Sequence, residues 1–222
     1  MSEVPRRSRP KSDRAKWTYG KILDAAGRQF VQKGFGGATI NGIIEDAKVT
    51  KGAFYFHFPS KETLAAAILE SAFEVDGLVP RDMKLQELVD TGMILGHRIS
   101  RDTKTMAALR LSLTHEARDA YGTPWPEWIR LTTDQLNQAR RHGEIGSDVN
   151  AVEQAHQISG AWAGLVLTGH SIHGNLEGLE GRIATMYENL MTVIAHPRIL
   201  LKIDFSPTRG RDLHQELLGR QC

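Results

Sequence analysis

The residues with the clearest chemical purpose lie in one run, Val49-Thr50-Lys51-Gly52-Ala53-Phe54-Tyr55-Phe56-His57-Phe58-Pro59-Ser60-Lys61. Thr50, Lys51, Tyr55, His57 and Lys61 all carry donors, and donors gathered in a short stretch suit the phosphate oxygens and base edges of a nucleic acid. Gly52 allows a backbone to come close to a polyanion, while the interleaved aromatics anchor the stretch inward. Phe54 has two readings, contact with a thymine methyl or packing in the core. Phe56 and Phe58 are assigned to packing. Upstream, Thr39 combines two compatible roles, capping a helix and donating to a phosphate. Lys61 enters the first turn of the next helix, where a phosphate also meets free backbone N–H groups.

Other chemistries lack their residue sets. The chain holds nine histidines, and His170 and His173 are spaced i, i+3, but no fixed set of acidic or cysteine ligands accompanies them. No nucleophile elbow, phosphate loop or zinc pattern occurs. The reading is therefore of a protein that is not an enzyme, with no cofactor and no metal. The single cysteine, Cys222, excludes an intrachain disulfide framework and suits a reducing cytoplasm. No apolar run is long enough to cross a bilayer, so a soluble cytoplasmic protein without a membrane partner is expected.

The elements that must position the donor run are helical. Ile22, Ala26 and Phe30 recur every four residues from about Arg14 to Lys33, and Gly34 with Gly36-Gly37 stops that helix. Thr39 opens a short helix over Ile40–Ala47. Lys48-Val49 forms the turn, and Thr50 caps a third helix over about Lys51–Phe56. Pro59-Ser60 ends it, and Ser60 caps a fourth helix whose stripe is Leu64, Ile68 and Leu69. Three short helices with a tight turn between the last two form a helix-turn-helix head. Further helices are expected at about Leu85–Ser100, Thr103–Ala120, Glu127–His142, Ala151–Ile172 and Leu179–Ala195, with Tyr121–Pro126 as a rigid loop. The last two carry the stripes Val152, Ser159, Val166 and Ile183, Met186, Tyr187, Leu190, Ile194, which are assigned to a homodimer interface in preference to closing the monomer's own core.

Charge supports this division. The net charge of +2 hides twelve Lys/Arg against six Asp/Glu in residues 1–62, and sixteen against twenty in the rest. A basic head on an acidic body is the layout of a nucleic-acid-binding protein with a separate sensing part. Arg6, Arg7, Arg9, Lys11, Arg14 and Lys16 form a basic arm that either enters a minor groove or merely solubilises the chain.

These residues carry a resemblance. Ile22-Leu23-Asp24-Ala25-Ala26, Phe30, Gly34, Thr39, Ile43, Val49-Thr50-Lys51-Gly52, Tyr55, His57-Phe58 and Lys61 resemble the TetR family of bacterial transcriptional regulators over about residues 18–69. Lys48 departs from the family pattern, which usually has glycine there, and implies a left-handed lysine or an altered turn. The Phe54-Tyr55-Phe56-His57-Phe58 stretch and the Pro124-Trp125-Pro126-Glu127-Trp128 segment look like the γ-butyrolactone autoregulator receptor branch of Streptomyces. That resemblance implies that Trp128 lines a signal pocket, with Trp125 and Trp162 behind it. Its N–H would orient a lactone carbonyl and its ring would pack an alkyl chain. Thr168 or Ser159 would supply a second polar group.

The expectation is an all-α protein with a flexible basic arm (1–16), a helix-turn-helix domain (17–62), a ligand-binding and dimerisation domain (63–196) and a C-terminal tail (197–222). As a homodimer it would bind a palindromic double-stranded DNA operator and be released by a small hydrophobic signalling ligand of the γ-butyrolactone, butenolide or furan type, controlling antibiotic genes. The fourth helix would transmit the signal. The alternative is a TetR-type regulator of an efflux or catabolic gene responding to a drug or metabolite.

Overall fold

A computed structural model of the chain describes residues 12–73, 80–113, 120–173 and 175–220. Arg6, Arg7, Arg9, Lys11 and Cys222 lie outside the described residues, as do residues 114–119 of the expected Thr103–Ala120 helix. Among the described residues the architecture is helical, with one isolated bridge between Ile145 and Ala195. The helices are α1 (Asp13–Gly37), α2 (Ile40–Ala47), α3 (Lys51–His57), α4 (Lys61–Phe73), α5 (Lys84–Ile99), α6 (Thr103–Ser112), α7 (Trp125–Arg141), α8 (Ala151–His173), α9 (Leu179–Ile194), α10 (Pro197–Leu200) and α11 (Arg209–Arg220). They fall into two compact units, Met1–Glu74 with Asp102–Pro124, and Val75–Arg101 with Trp125–Cys222.

In the first unit, Ile22, Ala26 and Phe30 of α1 meet Ile43 and Ala47 of α2, Phe54 of α3 and Leu64, Ile68 and Leu69 of α4 in one core. Ala107, Ala108 and Leu111 of α6 complete it. The head expected to end at residue 62 therefore extends through α4 and takes in α6, because α1, α2 and α3 leave apolar surface that only those helices cover. Lys104 pairs with Asp24 at 3.1 Å and Arg110 donates to the carbonyl of Val31 at 2.5 Å, tying α6 to α1.

The second unit is organised around α5, which is buried on nearly every side. An amphipathic helix needs one apolar stripe, whereas a helix enclosed by neighbours is apolar almost all round, and Leu85, Leu88, Val89, Met93, Ile94, Leu95 and Ile99 meet that need. Its N-terminus is capped from a distance. The buried carboxylate of Glu144 accepts from the N–H groups of Lys84 and Leu85, both at 2.8 Å, where the helix dipole favours an anion. Glu144→Ala is expected to lower the stability of this unit by about 2–3 kcal/mol. A fall in the urea midpoint would register the loss, and an unchanged midpoint would contradict it.

Three sequence expectations change here. Helix α7 begins at Trp125, so Pro126 lies in its first turn, where proline's missing N–H costs nothing, and the rigid loop is shorter than expected. The apolar stripes assigned to a dimer interface turn inward: Ile183, Tyr187, Ile194, Ser159 and Val166 are buried, while Val152 is exposed. Residues beyond 197 do not form a separate tail, for Ile203 and Leu213 are buried and α11 packs on α5.

Candidate functional site

The donor run is built by two local caps and one unusual turn. Thr39 accepts from the Gly42 N–H at 3.1 Å and Thr50 from the Ala53 N–H at 3.1 Å, starting α2 and α3. Between them Lys48 sits at φ 53, ψ 47, the sole non-glycine with positive φ among the described residues. Its N–H donates to Glu45 and the Val49 N–H to Ile44, so the left-handed residue closes α2 where glycine is usually favoured. Arg28 of α1 grips Asp46 of α2 through two bonds of 3.1 and 2.9 Å. That hydrogen-bonded guanidinium holds the Asp46 carboxyl below the usual range despite some opposing desolvation.

Helix α3 sorts its side chains by face. Phe54 and Phe58 point into the core, at 0% and 3% exposure. Phe54 therefore packs, and the groove-contact reading of it fails, since a ring sealed in the core cannot reach a thymine methyl. Phe56 departs in the opposite direction. Expected to pack, it is 66% exposed beside Tyr55 at 41%. Lys51 and Gly52 share the exposed surface, and His57 is half-buried, edge-on to Tyr19 with centroids 5.8 Å apart. Among the described residues, apart from the helix's own backbone, nothing lies within 4 Å of where a Gly52 Cβ would stand.

Lys61 does not reach outward. Its ammonium donates to the carbonyls of Phe35 at 2.7 Å and Ala38 at 3.0 Å, and lies 4.4 Å over the Phe35 ring. Gly34 (φ 69, ψ 176) breaks the helical course of α1 and turns those carbonyls toward it. The side chain clamps the α1–α2 junction, a role its place in the sequence did not suggest. Ser60 and Thr63 cap α4 reciprocally, with bonds of 3.1 and 3.2 Å between their hydroxyl oxygens and backbone N–H groups.

The second unit contains a buried polar set between α5, α7 and α8. Trp128, Thr132 and Gln135 lie on one face of α7 and are nearly inaccessible. Gln135 donates to the Thr91 hydroxyl of α5 at 3.3 Å, and that hydroxyl donates to the Glu87 carbonyl at 2.7 Å. Trp162 of α8 donates its indole N–H to the carbonyl of Gly92 at 3.1 Å. One helical turn earlier, Ser159 is buried with no hydrogen-bond partner for its hydroxyl among the described residues. A buried hydroxyl without a partner is costly, so the position calls for a ligand or a water. Trp125 is half-buried at the start of α7.

One expected pocket residue is corrected. Thr168 is exposed on the far face of α8, its hydroxyl bonded back to Gly164 at 2.7 Å. Trp162 is in the core, where its indole N–H is held by α5. Thr91, Thr132 and Gln135 were not foreseen, although Trp128, Thr132 and Gln135 at i, i+4, i+7 place polar groups where an inward stripe should be apolar.

The capped turn, the short exposed helix and the core beneath it define a helix-turn-helix DNA-binding regulator. Residues 22–68 match the family described as "Bacterial regulatory proteins, tetR family". The A-factor receptor protein of Streptomyces griseus is 33% identical over 194 residues, 87% of this chain and 69% of the relative. A full-length crystal structure of TylP, a TetR regulator from Streptomyces fradiae, superposes with a TM-score of 0.85 at 31% identity, covering 92% of this chain and 99% of that one. The crystal structure of an ArpA-like γ-butyrolactone receptor gives a TM-score of 0.66 at 25% identity, covering 92% of this chain and all of that one. The chain belongs to the TetR family of transcriptional regulators, which are DNA-binding proteins and not enzymes. Within it, the resemblance to the γ-butyrolactone receptor branch runs through the body as well as the head. No described helix is long and apolar enough to cross a membrane.

Proposed function

We propose that the protein is a cytoplasmic homodimeric repressor that leaves a palindromic operator when a γ-butyrolactone, butenolide or furan signal enters the body, so releasing antibiotic-biosynthesis genes. The observation that carries the ligand reading is the buried Ser159 hydroxyl, without a hydrogen-bond partner among the described residues, in the same unit as the buried Trp128, Thr132, Gln135 and Thr91. Such a site suits a small, mostly apolar molecule with a few oxygens, whose body packs on the indole while the hydroxyls and amide orient it. The name of the A-factor receptor and the γ-butyrolactone receptor structure support the same class.

At the operator, Lys51, Gly52, Tyr55 and His57 meet the major groove and its phosphates, Thr39 and Thr50 donate from the caps, and Phe56 adds apolar contact. Dimerisation uses the outer faces of α8 and α9. Ile172 and Val193 are 71% and 80% exposed there, Leu167 and Val152 accompany them, and open space stands over Gly160 and Gly164. An apolar surface of this kind favours a symmetric partner. The chain passes between the two units at 74/75, 101/102 and 124/125, so α4 and α6 are the covalent routes by which a change in the body reaches the head. To empty an operator almost completely, the signal must prefer the released conformer by about 5 kcal/mol.

The test is a gel shift on the promoter upstream of the protein's own gene, with each signal class added in turn. Release by at least one of the three is expected, and Trp128→Ala should still bind the operator yet no longer respond. Release by drugs or catabolites instead would favour an efflux or catabolic regulator. An equal response in Trp128→Ala and wild type would remove that residue from the site.

A further inference from the structure

The segment from Asp204 to α11 is fastened to α5 by charge at one end and by two histidines at the other. Asp90 of α5, 1% exposed, accepts from Gln86 at 2.7 Å, from Arg81 at 3.1 Å and from Arg209 through Nε at 2.5 Å and a terminal nitrogen at 2.8 Å. Arg209 also donates to Asp204 at 2.7 Å. The Gln86 amide clasps the Asp204 backbone in both directions, accepting its N–H at 2.7 Å and donating to its carbonyl at 3.3 Å. At Gly210 the backbones touch, since a Cβ there would fall 2.2 Å from the Met93 carbonyl oxygen. Leu213 is then buried.

One residue further, the ring of His214 lies against the buried ring of His97, centroids 5.2 Å apart. The groups facing this contact are mostly cationic. From α5 come His97 and Arg98, and from the turn just after it Arg101. From α9 comes Glu180, already engaged by His97 Nδ1 at 2.9 Å and Arg101 at 2.5 Å. On α11 itself Arg211 pairs with Asp212 at 3.1 Å, and Asp212 also accepts from Thr208. A proton arriving at His214 thus meets partial burial and like charge, while the nearby Glu180 is already engaged by His97 and Arg101.

We propose that α11 is a releasable latch on α5, seated by Arg209, Gly210 and Leu213 and opened by proton uptake at His214, where its ring meets that of His97. Burial first, and then His97, Arg98 and Arg101, hold His214 below the ordinary imidazole value. An undocked His214 takes its proton near the ordinary value of about 6.5, while the docked one resists. Docking is therefore at full strength above about pH 6.5 and weakens as the pH falls through and below it. Opening exposes Asp90 and the carbonyl of Met93, on the helix that also presents Thr91. The latch stands whatever ligand the body takes.

Hydrogen exchange on the full chain, read by mass spectrometry at about pH 7.5 and about pH 5.5 and corrected for intrinsic exchange, tests it. Peptides covering 209–220 should lose protection severalfold at the lower pH while those covering 151–173 do not. In His214→Gln that difference should vanish, because this half-exposed position tolerates the change and no longer titrates. Gly210→Val should leave 209–220 unprotected at both pH values by wedging the backbones apart. Equal protection of the wild type at both pH values overturns the proposal, as does an unaltered pH dependence in His214→Gln. The glutamine variant decides the matter even if Gly210→Val unsettles the whole unit.

Discussion

Gly52→Ala is expected to weaken operator binding by about ten- to a hundredfold, about 1–3 kcal/mol, without loss of thermal stability. Nothing in the chain needs a glycine there: the added Cβ meets open space, and φ at Gly52 is not in the left-handed range. Alanine should even favour the helix by about 0.5 kcal/mol, since it loses less backbone freedom on folding. The remaining reason for glycine is an outside surface that comes close to the start of α3, and a groove wall is such a surface. The measurement is a pair of curves, operator titration and melting, on the same preparation. Lys51→Ala is the companion, because removing a charge that faces phosphate lowers the salt slope by about one unit, whereas removing space does not. Undiminished binding by Gly52→Ala would show that α3 lies farther from the DNA than proposed.

The same substitution at Gly92 should do the reverse. Its Cβ would stand 1.8 Å from the Tyr187 hydroxyl oxygen and 2.5 Å from Cζ, in a place where Tyr187 is fully buried and cannot swing away. Burial also pushes the Tyr187 hydroxyl above the ordinary phenol value, so it stays a neutral group and no charge relieves the crowding. The Gly92 carbonyl additionally holds the Trp162 indole, so a shift of α5 strains a second attachment. A cost of about 2–4 kcal/mol is expected, or a fall of about 5–10 °C in melting temperature for a chain of this size. Tyr187→Phe in the same chain should recover part of the loss, because it removes the nearer atom and leaves the farther one. Gly96→Ala should cost less, since its contact at 2.4 Å is the terminal methyl of Ile183, which can turn aside. A double variant no more stable than Gly92→Ala would mean that the hydroxyl is not what excludes the side chain.

What could be read from the sequence was local. Thr39 and Thr50 were identifiable as caps because a cap bonds to an N–H three residues away. Lys48 was recognisable as a strained turn residue from the resemblance, and the backbone adopts the left-handed option. The roles that went wrong were those decided by distant partners. Phe54 and Phe56 lie in a helix of seven residues, too short for periodicity to say which ring goes in. Lys61 read as a phosphate donor from its place alone, and its bonds to the carbonyls of Phe35 and Ala38, more than twenty residues upstream, were not legible.

The body shows the same boundary. Its helices could be drawn from apolar spacing and glycine stops, yet their faces could not, because Ser159 and Thr168 sit in equally plausible stripes of α8 and only tertiary packing buries one and exposes the other. The partner of Asp90 is 119 residues away in what read as a tail. The chain's order of residues alone determined its helical class, its capped turn and its family, since each depends on neighbours a few positions apart. Tertiary structure decided which aromatic on α3 faces outward, which hydroxyl is left unpartnered in the body, and that the last helix belongs to the core. Those outcomes depend on which apolar surfaces must be hidden together, and no short window of sequence contains that information.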